Sequence, residues 1–176
     1  MHALDIVTYT AFVCALISLP FFIVNFLRFR SKVIADRSLR SPWLKAQFPI
    51  KSVGSFAGSI ALAMIAAECS KQVAHADVLH ELAALPDQCS VSIDGHSVDD
   101  PQRVVAVLRS LRWAWAHHSH PTTPVWVRVS APSHDILLNL SRDSSDPHEY
   151  WVFLPRYAVT SRNEIGRIFT NSFDAY

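Results

Sequence analysis

The stretch IVTYTAFVCALISLPFFIVNFL, residues Ile6 to Leu27, contains no charged side chain. At a rise of about 1.5 Å per residue, a helix of this length crosses the roughly 30 Å hydrocarbon core of a bilayer. Pro20 is expected to kink this helix rather than end it, because neighbouring groups in a membrane satisfy the freed backbone carbonyl. A cleaved signal peptide is disfavoured, since no Lys or Arg precedes Ile6 and the apolar stretch is long. The sequence therefore predicts a membrane-spanning helix over about residues 6–27.

A second uncharged stretch, Ser52 to Ala67, predicts another span over about residues 52–69. Because this stretch is shorter, its helix must stand upright or the bilayer must be thin. Small residues recur along it at the spacing that lets membrane helices approach closely. These helix-packing candidates are Gly54, Gly58, Ser55, Ser59 and Ala63. The expected partner is the first helix, which makes residues 1–70 a hairpin, and self-association into a homo-oligomer is the alternative.

The loop between the two apolar stretches is strongly basic and sets the expected orientation. Residues 28–51 carry seven Lys and Arg against a single acid, Asp36. Short loops rich in Lys and Arg stay in the cytoplasm, so we expect this loop there. The N-terminus and the chain after the second span then lie on the other side, which in a bacterial inner membrane is the periplasm. An internal signal sequence cleaved after Ala76 is a further alternative, which Glu68 and Lys71 disfavour.

The remaining residues, 71–176, are expected to form one extracytoplasmic domain, joined to the membrane by a helical connector over residues 70–85. A strand at residues 88–93 precedes an amphipathic helix that has Asp100 as its N-cap and continues to His117. Alternating apolar positions then predict strands near Val125–Val129, Ile136–Leu140, Tyr150–Leu154 and, more weakly, Ile165–Thr170. This order predicts an α+β fold with a four- to five-stranded, mostly antiparallel sheet and one packed amphipathic helix.

The charge and the cysteines of the chain limit its partners. Residues 71–176 contain nine Lys and Arg against twelve Asp and Glu. Because this domain is mildly acidic, nucleic acid is not an expected partner. Cys14, Cys69 and Cys89 show no zinc-binding spacing. Cys69 and Cys89 would share one side of the membrane, so a disulfide and two separate thiols are both open.

Metal chemistry is suggested only by the histidines that follow the amphipathic helix. His118 and His120, with His117 beside them, are candidates for two ligands of a metal ion. Histidines near a helix C-terminus also interact favourably with the helix dipole, which explains them without a metal. No HExxH motif, phosphate loop or nucleophile elbow accompanies them. A membrane-anchored periplasmic enzyme or metal-dependent hydrolase centred on these histidines is therefore the alternative function, and the primary expectation includes neither catalysis nor a cofactor.

Aromatic side chains suggest a binding function instead. If the amphipathic helix covers the valines of the strand at 125–129, alternation places Trp126 and Arg128 on the opposite face. Trp, Phe and Arg are enriched at the centres of protein interfaces. The partner-binding candidates are Trp126, Arg128, Trp151, Phe153 and Trp113. The expected function is a membrane-anchored periplasmic module that binds another envelope protein, as an accessory subunit, an inhibitor or an immunity-like protein.

Overall fold

The computed structural model describes residues 3–35, 48–113 and 118–173. The chain divides into two compact units, His2–Glu68 and Cys69–Tyr176. The first unit contains helix α1, Ala3–Ala35, and the beginning of helix α2, Ile50–Ala83. The C-terminal part of α2 belongs to the second unit, together with a sheet and a short helix.

Helices α1 and α2 are long and apolar enough to cross a membrane. Their most apolar windows have mean hydropathies of 2.2 and 1.6, and only 11% of each window is buried within the protein. In a core helix of a soluble domain, most residues of such a window would be buried by the rest of the protein. The large side chains that α1 leaves exposed include Phe12, Ile17 and Phe21. Length, hydropathy and this exposed apolar surface favour membrane association, although they set no orientation.

Aromatic rings join α1 and α2. Phe22 stacks on Phe56 with the ring centroids 5.2 Å apart, and α1 continues through Pro20 without a break. Two of the helix-packing candidates, Gly54 and Gly58, lie away from this contact. Gly54 and Gly58 are exposed, and a Cβ at either glycine would meet no other heavy atom within 4 Å. Phe22 and Phe56, rather than these two glycines, contribute to the contact, so the glycines present an open stripe.

The other helix-packing candidates differ in burial. Ser55 is exposed, Ser59 is half-buried with its hydroxyl bonded to the carbonyl of Ser55, and Ala63 is buried. The cysteines of the described chain are free thiols, so Cys69 and Cys89 form no disulfide in this structure.

The second unit is an α+β domain, as predicted, but within its described residues the sheet has six strands rather than four or five. The strand order is β2-β1-β3-β4-β5-β6 and every pairing is antiparallel. The strands are β1 Ser90–Ile93, β2 His96–Ser97, β3 Pro121–Ala131, β4 His134–Asp143, β5 Glu149–Phe153 and β6 Gly166–Phe169. The additional strand is β2, which pairs with β1 across the turn at Asp94 and Gly95. Two residues are too short to show an alternating pattern.

Two helical segments, rather than the single one expected, pack on the sheet. One is α3, Pro101–Arg109, which buries Val104, Val105 and Leu108. The other is the C-terminal part of α2, which buries Ala74, Val78 and Leu82 in the same core. The expected connector is therefore also a core element. Tyr157 donates a hydrogen bond to Asp77 at 3.0 Å, and Arg156 pairs with Glu81, which ties this part of α2 to the loop after β5.

Helix α3 begins as predicted and ends early. The carboxylate of Asp100 accepts a hydrogen bond from the backbone N–H of Arg103 at 3.1 Å, which caps the first turn. The helix stops at Arg109 rather than at His117, because the backbone of Arg112 pairs with that of Arg167 through two hydrogen bonds of 2.9 and 2.8 Å. Gly166 permits this approach, since a Cβ there would lie 2.6 Å from the carbonyl oxygen of Arg112.

Candidate functional site

The face of the sheet opposite the helices carries Trp126, the aromatic side chain of β3. Val125, Val127 and Val129 are buried on the helix side, and Trp126 on the outer side is 42% exposed. Cross-strand register places Trp126 opposite Asn139, and Asn139 opposite Phe153. Side chains opposite one another on antiparallel strands share a face. We call the surface formed by Trp126, Arg128, Leu137, Asn139 and Phe153 the outer face.

The backbone beneath Trp126 is held by the turn between β1 and β2. The N–H of Trp126 donates to the carboxylate of Asp94 at 2.8 Å, and the N–H of Asp94 donates to the carbonyl of Trp126 at 2.8 Å. Asp94 adopts a positive φ of 49°, a conformation that Asp tolerates better than most residues. This reciprocal pair fixes β3 at the point where the exposed indole projects, so the indole is presented from a rigid strand.

Arg128 extends the outer face with an accessible positive charge. Its guanidinium lies 3.6 Å from the carboxylate of Asp135, and the two side chains are 53% and 59% exposed. Exposed ion pairs of this kind contribute about 0–1 kcal/mol. Arg128 can therefore exchange Asp135 for an acidic group on a partner at little energetic cost.

Trp151 lies on the same side of the sheet but is engaged within the domain. Its indole N–H donates to the carboxylate of Asp143 at 2.6 Å, and its ring lies over the guanidinium of Arg167 at 4.0 Å from the centroid. The ring is half-buried. Trp151 therefore covers a charged cluster, and it borders the outer face rather than forming its centre.

The cluster beneath Trp151 is a buried arginine with two carboxylates. Arg167 is 0% exposed and pairs with Glu149 at 2.6 Å and with Glu164 at 2.8 Å. Burial lowers the pKa of Arg167, but the hydrogen bonds and charges of Glu164 and Glu149 outweigh it and raise the pKa above its usual value. This cluster could not be predicted from the sequence, because the pattern of residues does not show whether a single charged side chain within a predicted strand is exposed or buried.

Asp143 joins the β4–β5 turn to the segment before β3. Its carboxylate accepts hydrogen bonds from the Ser119 hydroxyl, the Trp151 indole, and the backbone N–H groups of Ser145 and Asp146. Burial raises the pKa of Asp143, yet these hydrogen bonds outweigh burial and hold the pKa well below its usual value. This arrangement is an anchored turn, in which every contact of the carboxylate is structural.

The histidine candidates do not form a metal centre in the described structure. His120 contacts Ser144, with Nδ1 3.2 Å from its hydroxyl and the backbone N–H donating to the same oxygen at 3.1 Å. His118 is exposed, and His117 lies outside the described residues. Within residues 3–35, 48–113 and 118–173, no three His, Cys, Asp or Glu side chains gather as ligands.

Trp113, the remaining aromatic candidate, lies away from the outer face. Its ring meets His75 of α2 edge to face at 5.8 Å, and the ammonium of Lys71 lies 5.5 Å from its centroid. His75 also places Nδ1 2.8 Å from the carbonyl of Ile165, so Nδ1 carries the donated proton. Trp113 is 41% exposed, on the helix side of the domain. The structure thus brings four of the five aromatic and arginine candidates to one side of the sheet.

No family model, no curated protein and no solved structure matches this chain.

Proposed function

We propose that this protein is a membrane-anchored protein-binding module of the bacterial envelope. Helices α1 and α2 anchor it in the inner membrane, the basic loop of residues 28–51 lies in the cytoplasm, and the α+β domain lies in the periplasm. The exposed apolar surfaces of both helices and the seven Lys and Arg of the loop support this placement. The partner is another envelope protein, which the module serves as an accessory subunit, an inhibitor or an immunity-like protein.

The observation that carries the binding function is the exposed Trp126 on a rigid strand. An indole is a large amphipathic ring, and Trp is enriched among the residues that contribute most to binding at protein interfaces. Arg128 lies two residues further along β3, and Phe153 lies across Asn139 on β5. Both are residue types that are enriched at protein interfaces. The remaining residues of the outer face, Leu137 and Asn139, are half-buried and lie on β4, between Trp126 on β3 and Phe153 on β5.

The alternative, an enzyme or metal-dependent hydrolase at the histidines, gains no supporting observation among the residues that the structure describes. His120 is engaged with Ser144, and the Asp143 carboxylate is occupied by four donors rather than directed at a substrate. The geometry therefore favours binding over catalysis.

Photo-crosslinking in native membranes tests the proposal. The photoreactive residue p-benzoylphenylalanine replaces Trp126 in the full-length protein, and in a matched control it replaces Trp113, which is equally exposed. We expect a discrete protein adduct from position 126 and none of the same mass from position 113. The absence of an adduct at position 126, or the same adducts from both positions, would contradict a binding role for the outer face.

A further inference from the structure

A cavity of about 700 Å³ lies where α1 and α2 meet near the loop of residues 28–51. Arg28 and Lys32 of α1 and Lys51 of α2 line it, and Phe29, Phe48 and Ile50 form apolar parts of its wall. Arg28 and Lys32 are four residues apart and therefore project from one side of α1. Two helices and both ends of the basic loop thus direct three cations to one concave surface.

The three cations of this cavity are available for an anion. Arg28, Lys32 and Lys51 are exposed, and within the described residues none of them forms an ion pair or a side-chain hydrogen bond. No described carboxylate lines the cavity. Three like charges held together repel one another, and a bound anion relieves that repulsion. The first turn of α2, which begins at Ile50, adds partial positive charge of the same sign.

The apolar wall of the cavity identifies the kind of anion. Phe29 is buried against Phe48, with the ring centroids 5.3 Å apart. Phe48 and Ile50 remain 48% and 72% exposed. A free phosphate ion would neutralise the cations and leave these side chains in water. A phospholipid carries both a phosphate, which the cations can bind, and acyl chains, which can cover Phe48 and Ile50.

The position of the cavity in the sequence is also that of a lipid headgroup. Arg28 directly follows the first uncharged stretch, and Lys51 directly precedes the second. Both residues therefore lie where the hydrocarbon ends under the proposed membrane anchoring, on which this inference rests. Basic pockets between membrane helices on the cytoplasmic side suit anionic headgroups. We infer that the cavity binds the phosphate of an anionic phospholipid of the cytoplasmic leaflet.

Native mass spectrometry of the full-length protein tests this site. The detergent-solubilised protein is equilibrated with equal amounts of phosphatidylglycerol and phosphatidylcholine, and the ratio of the two bound lipids is measured. We expect the wild type to prefer phosphatidylglycerol, and Arg28→Gln to reduce that preference about fivefold. The matched control is Arg30→Gln, which removes the same charge from an exposed position outside the cavity and should change the ratio less than about twofold.

The outcomes distinguish failure of the binding site, of the lipid assignment and of the membrane anchoring. Equal losses in Arg28→Gln and Arg30→Gln, or no lipid preference in the wild type, would overturn the site. Displacement of the lipid by millimolar inorganic phosphate would show a free-anion site and overturn the lipid assignment. If Arg28→Gln fails to insert, Lys32→Gln carries the same expectation. If alkaline carbonate releases the wild-type protein from membranes, the proposed membrane anchoring is wrong. That result would contradict the proposed function, and not only the lipid site.

Discussion

Arg167 is the side chain whose removal should damage the domain most. Arg167→Ala leaves the carboxylates of Glu149 and Glu164 close together without the cation that both of them bind. Removing one partner of a buried charge pair typically costs about 3–5 kcal/mol of the free energy of unfolding. We expect a loss of that size in urea unfolding of the full-length protein, followed by tryptophan fluorescence.

An exposed arginine provides the control for this change. Arg128→Ala breaks only the exposed pair with Asp135 and should cost at most about 1 kcal/mol. A loss from Arg167→Ala as small as that from Arg128→Ala would show that the cluster beneath Trp151 contributes little to stability.

Asp143 should make the stability of the domain depend on acid pH. Its native pKa lies below the unfolded value of about 3.9. The stabilisation is therefore complete above that value and is lost as the pH falls below it towards the native pKa. Asp143→Asn loses acceptors for Ser119 and Trp151, which should cost about 1–3 kcal/mol at neutral pH.

The pH dependence distinguishes this charge effect from a general loss of packing. Below about pH 4 the carboxylate of the unfolded wild type becomes protonated, whereas the native carboxylate keeps its charge down to its lower pKa and the amide of the variant does not titrate. The difference in free energy of unfolding between the wild type and Asp143→Asn should therefore narrow as the pH falls. Urea unfolding measured across acid pH checks this, and a difference that stays constant would contradict the assigned role of the carboxylate.

At the residue scale, the sequence predicted which face of the sheet a side chain lies on better than which residues that side chain contacts. Strand alternation alone placed Trp126 and Arg128 on the face of the sheet away from the buried valines, because successive side chains of a strand point alternately to its two faces. It gave no sign that Trp151 is bonded to Asp143 and covers Arg167. Those contacts join residues on different strands, so they depend on a register that the pattern of a single strand does not contain.

At the scale of elements, the errors have one physical origin, which is long-range pairing. The sequence of residues 110–113 continues the helical pattern of α3, yet the backbone of Arg112 bonds to that of Arg167 instead. The rest of the predicted helix, residues 114–117, lies outside the described residues. Tertiary pairing of this kind overrides helix propensity, which is worth less than 1 kcal/mol per residue for ordinary side chains. Strand β2 was missed for a related reason, since its two residues form a strand only through their pairing with β1.

The open glycine stripe of α2 allows a direct test of self-association. Gly58→Leu should not disturb the fold of a single chain, because a Cβ at Gly58 meets no other heavy atom within 4 Å. If the stripe packs against a second copy, the leucine forces the backbones apart and an oligomeric species disappears from native gels.

The control for this change lies one position away on the same helix. Ala57→Leu adds similar bulk to another exposed residue, about 100° around the helix from Gly58. It should leave the oligomeric species intact. The same native-gel pattern for the wild type and Gly58→Leu would mean that the glycine stripe contacts only lipid.

At the scale of the whole molecule, the basic loop predicts which parts face the cytoplasm. Reporter fusions at Ser41, within the loop of seven Lys and Arg, should be active only with a cytoplasmic reporter. Fusions at Tyr176 should be active only with a periplasmic reporter. A cytoplasmic C-terminus would contradict the proposed placement of the domain, whatever the outer face binds.

The most direct measurement of the central claim compares Trp126→Ala with Trp113→Ala in the full-length protein. The two indoles are 42% and 41% exposed, but only Trp126 lies on the outer face. An aromatic side chain at an interface centre often contributes about 2 kcal/mol, roughly thirtyfold in affinity. Truncating a core aromatic instead costs about 3–5 kcal/mol of stability.

We expect Trp126→Ala to keep a wild-type melting temperature while losing about thirtyfold in affinity for the partner that crosslinks at this position. Trp113→Ala should retain the wild-type affinity. A collapse of the melting temperature in Trp126→Ala would show that Trp126 is part of the core, and unchanged affinity would show that the outer face is not where this protein binds.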